Sequence, residues 1–230
     1  MKIQKLHSWR VSLEEARGVQ NRLKAKILLE SPPELSHLSL VAAADVSFSR
    51  YGKVLYGAVV LMEFPALNVL QVHLHRQQAE FPYVPGFLSF REAPVVLKIF
   101  EKMQSTPHLL FCDGQGIAHP RGFGLASHLG VFLDIPTIGC AKSVLVGEFQ
   151  EPAPEKGSSS PLIYQGQTVG AALRTRSGVK PVFVSPGHKI SLSEAVKLTL
   201  QCSPRFRIPE PLRIAHQEVN RFRLRNHLDS

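Results

Sequence analysis

Leu109-Leu110-Phe111-Cys112-Asp113-Gly114 is a continuous apolar run that stops at a carboxylate and a glycine. Without the alternation of a strand that has one wet face, such a run reads as a strand buried on both sides, the habit of parallel sheets. Downstream, the stretch from about Gly122 to Leu133 predicts a helix, and Pro136-Thr137-Ile138-Gly139-Cys140 predicts a second short strand. Together they form a strand-helix-strand unit. Upstream, Leu38–Ser49, Val54–Met62 and Val69–Arg76 read as three strands, separated by turn signals at Tyr51-Gly52-Lys53 and around Pro65 and Asn68. Links this short make an antiparallel meander the simplest pairing. The expected fold is α/β, with a mixed sheet in which the meander is followed by parallel strands.

Helices fill the remaining segments. Ser12 and Glu15 have capping-box spacing ahead of Leu13, Ala16, Leu23 and Ile27, so an N-terminal helix is expected to end before Ser31-Pro32-Pro33. Pro82-Tyr83-Val84-Pro85-Gly86 reads as a stiff loop, followed by a helix to about Met103. Pro, Glu, Gly and Ser dominate from Gln150 to Ser160, which marks a surface loop, and strands are expected near Thr168–Thr175 and Val182–Val184. Ser191 and Glu194 repeat the capping spacing ahead of Leu192, Ala195, Val196, Thr199 and Leu200, and a last helix starts near Glu210-Pro211. With no internal repeat, the 230 residues are expected to form one domain.

Composition narrows the class. Twenty-seven Lys and Arg against 18 Asp and Glu give +9, a balance that favours a polyanionic partner through counterion release. The opening Met1-Lys2-Ile3-Gln4-Lys5 is too polar for the core of a signal peptide, and no later stretch reaches the length of a membrane span. A cytoplasmic protein with no membrane partner is expected, monomeric by default. Cys112, Cys140 and Cys202 lack the spacing of a zinc site or a disulfide framework.

Several residues stand out chemically. Asp45 interrupts Val41-Ala42-Ala43-Ala44, where a buried carboxylate needs a cation, a proton or a set of donors. Asp113 poses the same demand at the C-terminal end of another apolar strand, where ligands gather in open α/β sheets, although Asp-Gly is also turn chemistry. Two such acids on neighbouring strands suit Mg²⁺. Glu92 is either a third carboxylate or, at capping-box spacing from Ser89, a helix cap, against which Pro94 counts. Lys142 either faces a phosphate or is an ordinary surface lysine. His216, at helical spacing from Leu212, Ala215 and Val219, is either a satisfied core histidine or a partner of the metal site. Tyr83, flanked by Pro82 and Pro85, either stacks on a base or packs its own loop. The segment from Gly114 to Gly124 is rich in glycine and carries His119 and Arg121; its backbone can approach a ligand closely and Arg121 can meet phosphate.

Taken in order, Val41–Ser47, Pro82–Glu92, Asp113–Arg121, Gly124–Gly130, Ala141–Ser143, Val184–His188 and Leu212–His216 resemble the endonuclease V family. The resemblance covers most of the chain, and the compact length fits bacterial members. It implies an RNase H-like fold with Asp45 and Asp113 as Mg²⁺ ligands, Mn²⁺ being the alternative ion, and Glu92 completing the acidic centre. It places Lys142 near the reacting phosphate, His216 beside the metal, and Tyr83 as a wedge on the loop of Pro82, Val84 and Pro85. Gly86, Leu88, Gly116 and Gly139 fall where the family builds a pocket for an everted hypoxanthine. It also implies hydrolysis of the second phosphodiester bond 3′ to deoxyinosine in DNA, leaving 3′-hydroxyl and 5′-phosphate ends. Val84, Gln115 and Gly122 depart from the residues common in the family. The competing expectations are a ribonuclease of the same family acting on inosine in RNA, another nuclease on the same fold, and a nucleic-acid-binding module that does not cut.

Overall fold

The computed structural model describes residues 3–48 and 53–228. Leu109–Cys112 (β4) lies inside an eight-stranded sheet with β1 (Leu40–Phe48), β2 (Val54–Glu63), β3 (Val69–Gln78), β5 (Thr137–Ala141), β6 (Ser159–Tyr164), β7 (Gln167–Leu173) and β8 (Val182–His188). The order is β3-β2-β1-β4-β5-β8-β7-β6. β4 runs parallel to both its neighbours, β1 and β5, and the other pairings are antiparallel. The antiparallel meander followed by parallel strands is the arrangement expected of an RNase H-like sheet. Ser49, Tyr51 and Gly52, where the first strand and turn were expected to end, lie outside the described residues.

Two helical layers cover the sheet. On one face α1 (Leu13–Lys24), α2 (Leu88–Lys102) and α3 (Leu125–Leu133) enclose Ala42, Ala44, Leu110 and Cys112; on the other, α4 (Leu192–Gln201) and α5 (Glu210–Leu228) enclose Val41, Ala43, Leu109 and Phe111. Strand alternation sets this division. Ser12 caps α1 with a reciprocal box, its hydroxyl accepting from the Glu15 N–H while the Glu15 carboxylate accepts from the Ser12 N–H. Among the described residues no helix is long and apolar enough to cross a membrane.

Three local expectations need correction. α3 begins at Leu125 instead of Gly122, because Gly122 sits at φ +66° in a turn and Gly124 is extended as the N-cap. Pro94 lies inside α2, whose cap is Phe87; the missing N–H leaves the Phe90 carbonyl without its usual helical donor. β6 starts within the segment read as loop. Its pairing with β7 turns at Gln165 and Gly166, both at positive φ, the geometry of a two-residue hairpin that favours glycine at the second position.

The glycine-rich segment after β4 packs backbone on backbone. Gly116 N–H donates to Ser185 Oγ at 2.8 Å and Ile117 N–H to the Pro186 carbonyl at 2.8 Å, while Gly124 N–H returns to the Gly116 carbonyl at 2.9 Å. A Cβ on Gly116 would overlap the Pro186 carbonyl, and one on Gly139 would overlap the Gly114–Gly116 backbone. Gly116→Ala is therefore expected to destabilise by about 3 kcal/mol or more, as severe overpacking does, lowering the Tm by roughly 6–12 °C for a chain of this size. Thermal unfolding checks this; an unchanged Tm would show that the loop does not need the close approach.

Candidate active site

Strand register brings the two aspartates together. Ala44 and Cys112 are partners across β1 and β4, and the Asp113 N–H donates to the Ala44 carbonyl at 3.3 Å, so Asp45 and Asp113 follow side by side. By alternation with Val41 and Ala43, and with Leu109 and Phe111, both face α5. Lys142, in step with Ile138 and Cys140 on β5, reaches the same place, where its Nζ donates to Asp113 Oδ2 at 2.5 Å. From α5, His216 Nδ1 donates to Asp45 Oδ2 at 2.8 Å. One ligand atom each from Asp45, Asp113 and His216 lie within 4.8 Å of one another.

The electrostatics of the cluster are unfavourable without a further positive charge. Burial, then the Asp113 charge, push the Asp45 carboxyl above its ordinary range, only partly opposed by His216 and by the Val46 N–H at 2.8 Å. Glu92 is buried near the start of α2, and burial followed by the charges of Asp45 and Asp113 drive its carboxyl well up, with Arg91 opposing. Glu92 is not a cap: Ser89 lies within the helix and bonds to His128. Approaching from the α2 layer, Glu92 stays outside the tight group yet within its field.

His216 is exposed, so the core alternative for it does not hold. Asn220, one turn further along α5, donates to His216 Nε2 at 3.1 Å and accepts from Ser47 Oγ at 2.9 Å. Because Nε2 accepts, Nδ1 carries the proton that Asp45 receives. Sequence reading missed Asn220, whose only signal was its i+4 spacing from the histidine.

Across the strand ends from this cluster lies a half-open recess of about 250 Å³ whose walls include Tyr83, Val84, Pro85, Gly86, Leu88 and His119. Gly114 and Ala141, the chain neighbours of Asp113 and Lys142, also line it. Tyr83 is 64% exposed, with its ring centroid 6.2 Å from that of Phe48. Pro82 is outside the lining. Gly116 and Gly139 stand behind the recess, where their close approach is to the protein's own backbone and not to a ligand.

His119 and Arg121 also turn inward. Gly86, at φ +78°, presents its carbonyl to His119 Nε2 at 3.0 Å, to Gln20 Nε2 at 3.0 Å and to the Arg121 guanidinium, which also donates to Gln20 Oε1 and lies 4.2 Å from the Phe87 ring centroid. Burial and the Arg121 charge lower His119 to about 4, so it is neutral here. These groups fix the loop that carries Tyr83. Gln20, fully buried on α1, was not legible as part of the site. The C-terminal arginines divide similarly: Arg207 holds the carbonyls of Lys142, Lys180 and Pro181, and Arg213 and Arg221 pair with Glu210 and Glu218, whereas Arg205 and Arg225 are exposed.

Comparison with known proteins shows which family the chain resembles. Residues 21–217 match the family described as Endonuclease V. Endonuclease V of Nostoc punctiforme is 50% identical over 215 residues, 94% of this chain and 97% of that protein. The crystal structure of Endonuclease V from Streptomyces avermitilis superposes with a TM-score of 0.89 at 41% identity, covering 96% of each chain. That of Ciona intestinalis Endonuclease V, in complex with a 24mer DNA containing an inosine followed by a ribo-adenosine, superposes with a TM-score of 0.81 at 27% identity, covering 93% of this chain and 98% of that one.

A raised carboxyl pKa favours the folded state below the ordinary values, 3.8 for Asp45 and 4.5 for Glu92, and that contribution is lost as pH rises through the folded values. Removing the charge while keeping the shape is therefore expected to stabilise. In buffer free of divalent ions, Glu92→Gln should raise the Tm near neutral pH and flatten its decline from about pH 5 upward. Calorimetry across that range checks this, and a neutral-pH Tm below the parent's would contradict it.

Proposed function

This chain belongs to the endonuclease V family, and from that premise we propose that it is a metal-dependent endonuclease that reads a deaminated base, chiefly deoxyinosine in DNA, and hydrolyses the second phosphodiester bond 3′ to it, leaving 3′-hydroxyl and 5′-phosphate ends. The observation that carries this reading is the adjacency of two parts: the Asp45–Asp113 pair, and a recess edged by the exposed Tyr83. One part suits phosphodiester chemistry, and the other suits a base removed from its stack.

The donor set fits a hard divalent ion. Asp45 and Asp113 converge as oxygen donors whose mutual repulsion is incompletely relieved, and Glu92 adds a third carboxylate at longer range. These three would hold Mg²⁺, or Mn²⁺ in its place, which when bound supplies positive charge to phosphate oxygens and acidifies a water. His216 keeps Asp45 oriented through its Nδ1 proton, with Asn220 fixing the tautomer. Lys142, half-exposed beside Asp113, brings a mobile positive charge to the phosphate or the departing oxygen. On the other side, the proline-stiffened loop of Pro82, Val84 and Pro85 presents Tyr83 as a wedge, anchored through Gly86 by Gln20, His119 and Arg121. A mispaired deaminated base leaves the duplex at lower cost than a paired one, so it reaches the recess more readily.

A second reading, cleavage at inosine in RNA, draws support from the Ciona intestinalis complex, in which a ribonucleotide follows the inosine. Parallel assays on inosine-containing DNA and RNA, with and without Mg²⁺, separate the two.

Asp45→Ala is expected to lower Mg²⁺-dependent nicking by about 10²-fold or more, the scale of losing an electrostatic element at a reacting centre, while leaving lesion binding largely intact; nicking at the parent rate would remove Asp45 from the metal site. Tyr83→Ala should weaken preference for the deaminated strand by about tenfold, given ~1–3 kcal/mol for a base–aromatic stack, without changing metal dependence. A competition assay against undamaged strand measures that preference, and an unaltered ratio would dismiss the wedge.

A further inference from the structure

A line of three polar side chains runs from the surface to the wall of the recess. His7 Nδ1 lies 2.7 Å from the Ser8 carbonyl oxygen, His7 Nε2 lies 2.7 Å from His128 Nε2, and His128 Nδ1 lies 2.9 Å from Ser89 Oγ. Ser89 lines the recess beside Leu88. The rings are held by aromatic packing: the His128 centroid is 4.9 Å from Trp9, 5.1 Å from Phe90 and 5.0 Å from Phe123.

The proton positions follow one from another. A carbonyl oxygen can only accept, so His7 Nδ1 carries a hydrogen. Burial lowers the pKa of both histidines, so each ring is neutral near pH 7, and His7 Nε2 is a bare lone pair. The contact between the two Nε2 atoms then requires the hydrogen to sit on His128. This leaves His128 Nδ1 bare, and the Ser89 hydroxyl must donate to it. The only proton of Ser89 is thereby committed away from the recess, and its oxygen has lone pairs alone to offer a ligand.

Deamination changes the group that such an oxygen would meet. In adenine or cytosine an amino group sits beside a ring nitrogen with a lone pair; hydrolysis replaces the amine by a carbonyl and places a hydrogen on that nitrogen. An acceptor-only hydroxyl can bond the new N–H, whereas it meets the unaltered base lone pair against lone pair, a mismatch that costs affinity. We infer that Ser89, oriented by His128 and His7, is a specificity-determining residue that accepts a hydrogen bond from the ring N–H of a deaminated base. This inference rests on the proposed reading of deaminated bases. Guanine carries the same N–H with an added amine, and its exclusion is left to the shape of the recess.

The test compares oligonucleotides carrying hypoxanthine or unsubstituted purine at one position, the latter having the bare ring nitrogen. Dissociation constants are measured without divalent ions and cleavage with Mg²⁺, for the parent, Ser89→Ala and His7→Phe. Loss of one neutral hydrogen bond should reduce the hypoxanthine-to-purine preference about 3- to 10-fold in Ser89→Ala. His7→Phe, which keeps a ring in place but frees the His128 tautomer, should shift the ratio the same way by less. Equal losses on both bases, or no preference in the parent, would overturn the role of Ser89. Absence of parental cleavage with the binding preference intact would instead count against the nuclease reading, so the two failures are distinguishable.

Discussion

Two carboxylates held side by side in a partly dry place repel each other, and neither can be relieved by moving. That constraint organises the rest of the structure. Asp45 and Asp113 are adjacent because β1 and β4 are parallel and in register at Ala44 and Cys112, and β4 can run parallel to β1 because α2 carries the chain back from the end of β3 before β4 begins. The surroundings then supply partial compensation: Lys142 from the end of β5, His216 from α5 and the Val46 amide from β1 itself. None of these removes the repulsion, since burial and Asp113 still hold the Asp45 carboxyl in its raised range. A small divalent cation with several open coordination positions suits what remains.

The parts of this arrangement legible in the sequence were those set by short-range patterning. The unbroken apolar run at Leu109–Cys112 announced a doubly buried strand, and Ser12–Glu15 announced a helix start; the structure has both. Parity along each strand puts Asp45, Asp113 and Lys142 on one face only when the strand order and register of the structure are given. Gln20 depends instead on Gly86, 66 residues away, and no local signal marks it; Asn220 has only its i+4 spacing from His216, since its other partner, Ser47, is 173 residues away. Glu92 was ambiguous because capping-box spacing is a local rule, whereas the helix start was decided by the Pro82–Gly86 loop and Phe87. The hairpin at Gln165–Gly166 was not legible in the sequence, because its first strand, β6, begins inside the polar segment that reads as loop.

A net charge of +9 pointed to a polyanion, yet much of the positive charge near the site has internal work. Arg121 joins the Gly86 carbonyl to the Gln20 side chain, Arg207 gathers the carbonyls of Lys142, Lys180 and Pro181, and Arg174 does the same with those of Ala153, Pro152 and Val179 while pairing with Glu151. Arginine suits this use because several donors in fixed geometry can satisfy carbonyls that loops leave without partners. Exposed residues such as Arg205 and Arg225 remain available to phosphates. Overall charge therefore overstates how many cations can act on a nucleic acid, and the counterion-release slope should be set by the exposed subset alone.

The same alternation that builds the core also links reading to cutting. Asp113 and Lys142 face α5, while their chain neighbours Gly114 and Ala141 line the recess on the opposite side. Ser89 and Glu92, one helical turn apart on α2, divide in a parallel way, the first lining the recess and the second lying in the field of the acids. The recess and the acidic cluster are thus two sides of one set of strand ends, joined through the adjacent pairs Asp113–Gly114 and Ala141–Lys142. A nucleic-acid strand with one base in the recess would have its backbone led past the acids at a separation fixed by the sheet. A rigid spacing of this kind is what hydrolysis at a constant distance from the recognised base requires, so the offset in the proposed function is better sought in the strand geometry than in any measuring loop.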